Sequence, residues 1–217
     1  MKKIKSALLL LPLMLVSCAN NALPKAEPMD GYRGEMFGID KHINEETIDN
    51  YLNRSDTVYR DMRMLIDPAN YEALPGGDSY LSGFVKGFEA VPMPLIIEAV
   101  GLPLEVGESH QGPFLFKLVG EHYVANYKES LEIMEFLFPK DKNIFLMCGG
   151  GGYAGMTKTL LIDLGWNKDV VYNVGAYWSY EGTNDVKVKR VNEQGEVVYD
   201  FYKVPFHDIT FDDLTEI

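Results

Sequence analysis

Apolar and polar positions follow two periods along this chain, and the sharpest switch between them falls in residues 144–164. Ile144-Phe-Leu-Met-Cys148 is a continuous apolar run of strand length, four glycines follow, and apolar residues then recur at helical spacing as far as Gly165. The pattern predicts a buried strand over 143–147, a six-residue loop from Cys148 to Tyr153, a helix over 154–164 closed by Gly165, and another strand over 170–174. Strand, helix and strand in this order need a crossover between parallel strands. The expected fold class is therefore α/β, a doubly wound parallel sheet with helices on both faces.

Elsewhere the pattern predicts a helix over 44–52, with Ile48 and Leu52 one turn apart, and a strand over 57–60 ending at Asp61. A short strand over 89–91 is stopped by Pro92 and Pro94. Asp67-Pro68 has the form of a helix start, and Gly76-Gly77 interrupts any element begun there. Residues 101–120, with Pro103, Pro113 and several glycines, make an irregular excursion of the kind used for lids and binding loops. Val124, Tyr127, Leu131, Met134 and Phe138 recur at helical spacing, so 121–138 is expected to be a helix with this stripe in the core. Residues 186–191 and 197–204 flank Asn192-Glu-Gln-Gly195 and predict a C-terminal β-hairpin.

The N-terminus carries a different signal. Lys2, Lys3 and Lys5 precede an apolar run over 7–16 that is too short to span a membrane, and Leu15-Val16-Ser17-Cys18 resembles a bacterial lipobox. Residues 1–17 are thus expected to be a lipoprotein signal peptide, with Cys18 the lipidated first residue of the mature chain. An uncleaved short anchor is the alternative. In both cases the protein is held at the extracytoplasmic face of the cell envelope. Residues 18–41, with Pro24, Pro28, Gly31, Gly34 and Gly38 and no sustained period, read as a tether. A domain over 42–182 and an extension over 183–217 follow.

Charge narrows the partners. The chain has a formal net charge of −12; loss of residues 1–17 removes three lysines and no acid, leaving 17 basic against 32 acidic residues and −15. Such acidity argues against nucleic acid and against a basic membrane-binding surface, so the lipid at Cys18 is the expected membrane contact.

With Cys18 acylated, Cys148 has no partner for an internal disulfide. It stands between an apolar strand and a helix N-terminus, followed by glycines whose N–H groups can curl around one point. These surroundings favour a thiolate nucleophile. The alternative is a small buried hydrophobe, which a glycine-rich loop suits poorly. Competing motifs fail: Gly150, Gly152 and Gly155 fit a dinucleotide pattern, but the next strand ends at Asn173-Val174-Gly175 without the ribose-binding acid. The P-loop spacing puts Met156 where lysine is needed. No nucleophile elbow occurs, and His110, His122 and His207 lack metal-ligand spacing, so neither metal nor cofactor is expected. His110 is the histidine whose loop is long enough to fold over Cys148.

Several of these segments together resemble the rhodanese domain. They are the 44–52 helix, Asp61-Met62-Arg63 (similar to Asp-Val-Arg), and Gly83-Phe-Val-Lys-Gly-Phe-Glu-Ala-Val-Pro92 (similar to Gly-His-Ile-x-Gly-Ala-x-x-Ile-Pro). Then come the loop from Cys148 to Tyr153, Leu164-Gly165-Trp166, and Val171-Tyr-Asn-Val-Gly-Ala-Tyr-Trp178 (similar to Gly-Gly-x-x-x-Trp). The resemblance spans 42–182, with insertions near 64–80 and 101–122. It implies a sulfurtransferase in which Cys148 takes sulfane sulfur from a small donor as a persulfide and passes it to a thiol acceptor. The amides of Gly149, Gly150, Gly151, Gly152 and Tyr153 would hold the persulfide, Asp61 and Arg63 would support the site structurally, and Tyr153 would line the pocket or cover the sheet. A rhodanese-fold protein that senses sulfur or oxidants without turnover is the alternative. Active rhodaneses usually carry a basic residue in the loop and this one has none, which points to an uncharged sulfane donor rather than thiosulfate. Related phosphatases need a longer loop ending in arginine, and Ala154 stands after Tyr153, so phosphatase chemistry is not expected.

Overall fold

The apolar runs around residues 58, 145 and 172 become adjacent strands, each buried on both sides. The computed structural model describes residues 22–64, 83–98, 112–200, 207 and 209–217. In chain order its elements are α1 (Tyr32–Phe37), β1 (Thr57–Asp61), β2 (Gly83–Val85), β3 (Glu89–Ala90), α2 (Met93–Ile96), β4 (Phe116–Val119) and β5 (His122–Ala125). They continue with α3 (Ser130–Leu137), β6 (Asn143–Cys148), α4 (Gly152–Asp163), β7 (Val171–Ala176), β8 (Asp185–Val191) and β9 (Val197–Asp200). The signal segment 1–17, Cys18, the Asp67-Pro68 and Gly76-Gly77 features, His110 and residues 201–204 lie outside the described residues.

The protein is mixed α/β. Its central sheet has four parallel strands in the order β3-β1-β6-β7, with Val58 opposite Ile144 and Asp61 opposite Met147. Strand order runs outward from β1 to β3, then returns to β6 and β7 on the other side. Strand order thus changes direction between β1 and β6, and open parallel sheets in general bind ligands beside the carboxyl ends of their strands at such a point. Alternation along β6 divides the core. Ile144, Leu146 and Cys148 join Met134, Leu160 and Leu161 from α3 and α4, whereas Phe145 and Met147 join Ile48, Tyr59, Tyr172 and Tyr177 on the other face. β2, β8 and β9 form an antiparallel sheet in which β8 is central, so β8 and β9 are joined to the domain through β2.

Helix α4 stops as its sequence dictates. Gly165 at φ 93 donates to the Ile162 carbonyl and Trp166 N–H donates to that of Leu161, a Schellman closure. Three other expectations are corrected. Residues 121–138 are not one helix: β4 and β5 form a hairpin through Gly120-Glu121, with Gly120 at φ 65 serving the first turn position, and helix begins only at Ser130. Val124 and Leu131 are consequently 42 % and 44 % exposed, while Tyr127, Met134 and Phe138 are buried.

The 44–52 helix is reduced to a single 3-10 turn, Ile48–Tyr51. Asp40 and Asn44 accept from the N–H groups of His42, Ile43 and Glu46, side-chain bonds that compete with helix formation. Residues 22–41 do not act as a free tether either. Their Ile39 is buried and bridges to Asn173 of β7, and α1 lies against α4. The absence of period that suggested a linker reflects a segment fitted to another surface rather than one lacking contacts.

Candidate functional site

Cys148 ends β6 beside the reversal point of the sheet and is 3 % exposed. Gly149, Gly150 and Gly151 carry the chain across, and α4 begins at Gly152, two residues before the expected start. The loop is therefore a three-glycine turn. Gly151 is the N-cap at φ 94, a left-handed conformation that strains any side chain, and its N–H donates to Cys148 Sγ at 3.0 Å.

Electrostatics at the sulfur run against the thiolate expectation. Burial pushes the Cys148 thiol above its ordinary range, and the negative charge of Asp61 pushes the same way, while the N–H groups of Ala154, Gly151 and Gly150 oppose them. Burial is the largest of these influences, since an enclosed ion loses several kcal/mol of solvation. Enclosure prevails in the resting state.

The glycines have a packing role as well. A methyl at Gly149 would meet the Trp178 ring at 2.5 Å, one at Gly151 would meet Ile39 at 2.9 Å, and one at Gly155 would overlap the Phe37 carbonyl. The loop is bare so that Trp178 and residues 37–39 can close on it, which corrects the idea that glycines here suit packing poorly. Trp178 remains 50 % exposed above Gly149 and Gly150, and its N–H donates to the Gly149 carbonyl at 3.2 Å. Tyr153 is buried in the cluster containing Cys148 and Ala154 and covers the sheet; Gly152 faces Phe37.

Asp61 and Arg63 form a buried bidentate ion pair, with Arg63 Nε donating to Asp61 Oδ1 at 2.8 Å and Nη2 to both Asp61 Oδ2 and the Gly83 carbonyl. The guanidinium lies over Tyr177, 4.1 Å from the ring centre. Arg63 Nη1 is buried and has no hydrogen-bond partner among the described residues. The pair braces the carboxyl end of β1.

Two residues that matter were not singled out from the sequence. Asn173, fully buried, donates through Nδ2 to the carbonyls of Gly151 (2.9 Å) and Phe37 (2.8 Å) and accepts from Gly175 N–H, tying loop, N-terminal segment and β7 together. Gly175 sits at φ 87 where β7 carries one residue more than β6 between paired positions, a bulge beside the site. An asparagine inside an apolar strand, two residues before glycine, was the available signal: a buried amide requires partners. Arg33 is the other. Its Nη2 donates to the Gly150 carbonyl at 3.3 Å and its Nη1 to Ser179 Oγ at 3.1 Å, so the basic group missing from the loop approaches it from residues 22–41. Nothing in residue 33 alone marked it.

His122 and His207 serve elsewhere, His122 against Asp163 and His207 against Glu89. Among the described residues no cluster of three or more His, Cys, Asp or Glu side chains is arranged to hold a metal, and no helix is long and apolar enough to cross a membrane. A groove of about 890 Å³ between α4 and the N-terminal segment is lined by Met36, Phe37, Met156 and Lys158 among others; Cys148 does not line it. No family model, curated protein or solved structure matches this chain.

Proposed function

We propose that this chain is a rhodanese-like sulfurtransferase, doubly wound and completed by the β8–β9 hairpin, held outside the cytoplasm by a lipid on Cys18. The observation that carries the reading is the position of Cys148: at the carboxyl end of a central parallel strand, beside the β1–β6 reversal, with a backbone N–H on its sulfur. In the first step Cys148, as thiolate, attacks the outer sulfur of a sulfane donor. A Cys–S–S⁻ persulfide forms as the donor's S–S bond breaks and the remainder leaves with the bond's electrons, as sulfite if the donor is thiosulfate. In the second step an acceptor thiolate attacks the terminal sulfur and Cys148 departs as thiolate. The turn amides and the α4 N-terminus stabilise the anion at both stages.

The enclosure of Cys148 favours one other reading, a protein that captures sulfur or oxidant at this residue without turnover. Both readings place added sulfur on Cys148, and acceptor turnover separates them. The purified chain is exposed to thiosulfate and, separately, to polysulfide, and intact and peptide masses are recorded. One added sulfur atom at Cys148, absent in Cys148→Ser and released by a thiol acceptor over repeated cycles, is the expected result. A wild-type chain that gains no sulfur from either donor would show the assignment to be wrong.

A further inference from the structure

We propose that Arg33 is a positioning residue of the Cys148 site, holding the Gly150–Gly151 peptide with its N–H on the cysteine sulfur and placing a fixed positive charge one peptide away. The inference rests on the sulfur-transfer reading for its purpose in turnover. The C=O and N–H of a trans peptide point in opposite directions. In this peptide the oxygen, on Gly150, accepts from Arg33 Nη2, and the N–H, on Gly151, donates to Cys148 Sγ. A guanidinium on the oxygen polarises the peptide and strengthens the donor at its other end.

The turn needs such a device. Three consecutive glycines have no side chain to fix the plane of their peptides, and a flipped 150–151 peptide would turn an oxygen toward the sulfur where negative charge develops. Arg33 is itself anchored by Ser179 Oγ beyond β7 and lies 3.5 Å from Glu45 Oε1. Its side chain is 40 % exposed, so its field is partly screened. Among the described residues the site also has Asp61, which opposes an anion at Cys148, and Arg63, which Asp61 neutralises. Glu45 offsets part of the Arg33 charge, and its Oε2 is buried without a partner among the described residues.

The test reads the rate of Cys148 alkylation against pH in the full chain, with thermal unfolding followed in parallel. In R33Q the midpoint is expected to rise by about half a pH unit to one unit, with most of that rise recovered in R33K. K25Q, which removes a charge from the same segment away from the turn, should leave the midpoint in place. E45Q gives the opposite sign: relieving Arg33 of its carboxylate should lower the midpoint, whereas loosened packing alone would not. An unchanged midpoint in R33Q, an equal rise in K25Q, or a rise or no change in E45Q overturns the proposal. If R33Q does not fold, E45Q decides it. These midpoints are independent of sulfur loading, so a wild-type chain that takes up no sulfur would overturn the reading above and leave this inference standing.

Discussion

Asp61→Ala is expected to lower the free energy of unfolding by about 3–5 kcal/mol, measured by urea titration, because it strands the Arg63 guanidinium without its counter-charge. Both side chains are buried, and among the described residues Arg63 Nη1 has no hydrogen-bond partner and the guanidinium's other contacts are the Gly83 carbonyl and the face of Tyr177. Replacing both residues by apolar ones of similar size, Asp61→Leu with Arg63→Met, should recover most of the loss, since removal of a whole buried pair is often close to neutral. A double variant no more stable than Asp61→Ala would mean that the polar contacts to Gly83, rather than the uncompensated charge, dominate. The pair ties the carboxyl end of β1 to Gly83 and Tyr177, so its loss should also loosen the strand end beside the cysteine turn.

The second large effect is alkaline. Because burial raises the Cys148 thiol in the folded state above the unfolded value of about 8.5, the unfolded chain loses this proton first as pH rises. The contribution of the neutral thiol is fully present below about pH 8.5. Above it the unfolded state binds fewer protons than the native state, and stability falls by about 1.4 kcal/mol for every pH unit climbed until the folded thiol itself ionises. Cys148→Ser should abolish that slope. Alkylation by a small neutral reagent should still be accelerating above pH 8.5 in the wild-type chain. A midpoint below 8.5 together with a flat stability profile would show that the turn amides and the α4 N-terminus outweigh enclosure.

The parallel core was legible because 143–148 and 171–176 are buried on both faces, which leaves runs that are apolar apart from Asn143 and Asn173. The closure of α4 was legible because Gly165 is the residue a left-handed cap requires. The β4–β5 hairpin was not: Val124 shares a helical spacing with Tyr127 and Met134, yet the turn at Gly120 assigns it to a separate strand with one face in solvent. Within the site, Cys148 and its glycines were visible as a motif. Their electrostatics were not, because the balance depends on how completely the sulfur is enclosed, a three-dimensional quantity. Arg33 and Asn173 reach the turn from sequence separations of 117 and 22 residues, through contacts that no local pattern encodes.

Residues 38–40 have a consequence for self-association. β7 is the outer strand of the central sheet, and the Ile39–Asn173 bridge, with Asp40 N–H on the Asn173 carbonyl, occupies its free side. A chain begun at residue 42 would carry that row of carbonyl and N–H groups unpaired beside the apolar Val171, Tyr172 and Val174, a template for adding a strand from another molecule. Such a chain should form oligomers by light scattering under conditions in which one begun at residue 22 stays monomeric. The segment that resembles a leash in composition thus acts as a guard on the sheet, and shortening the protein to its apparent domain would remove what keeps copies apart.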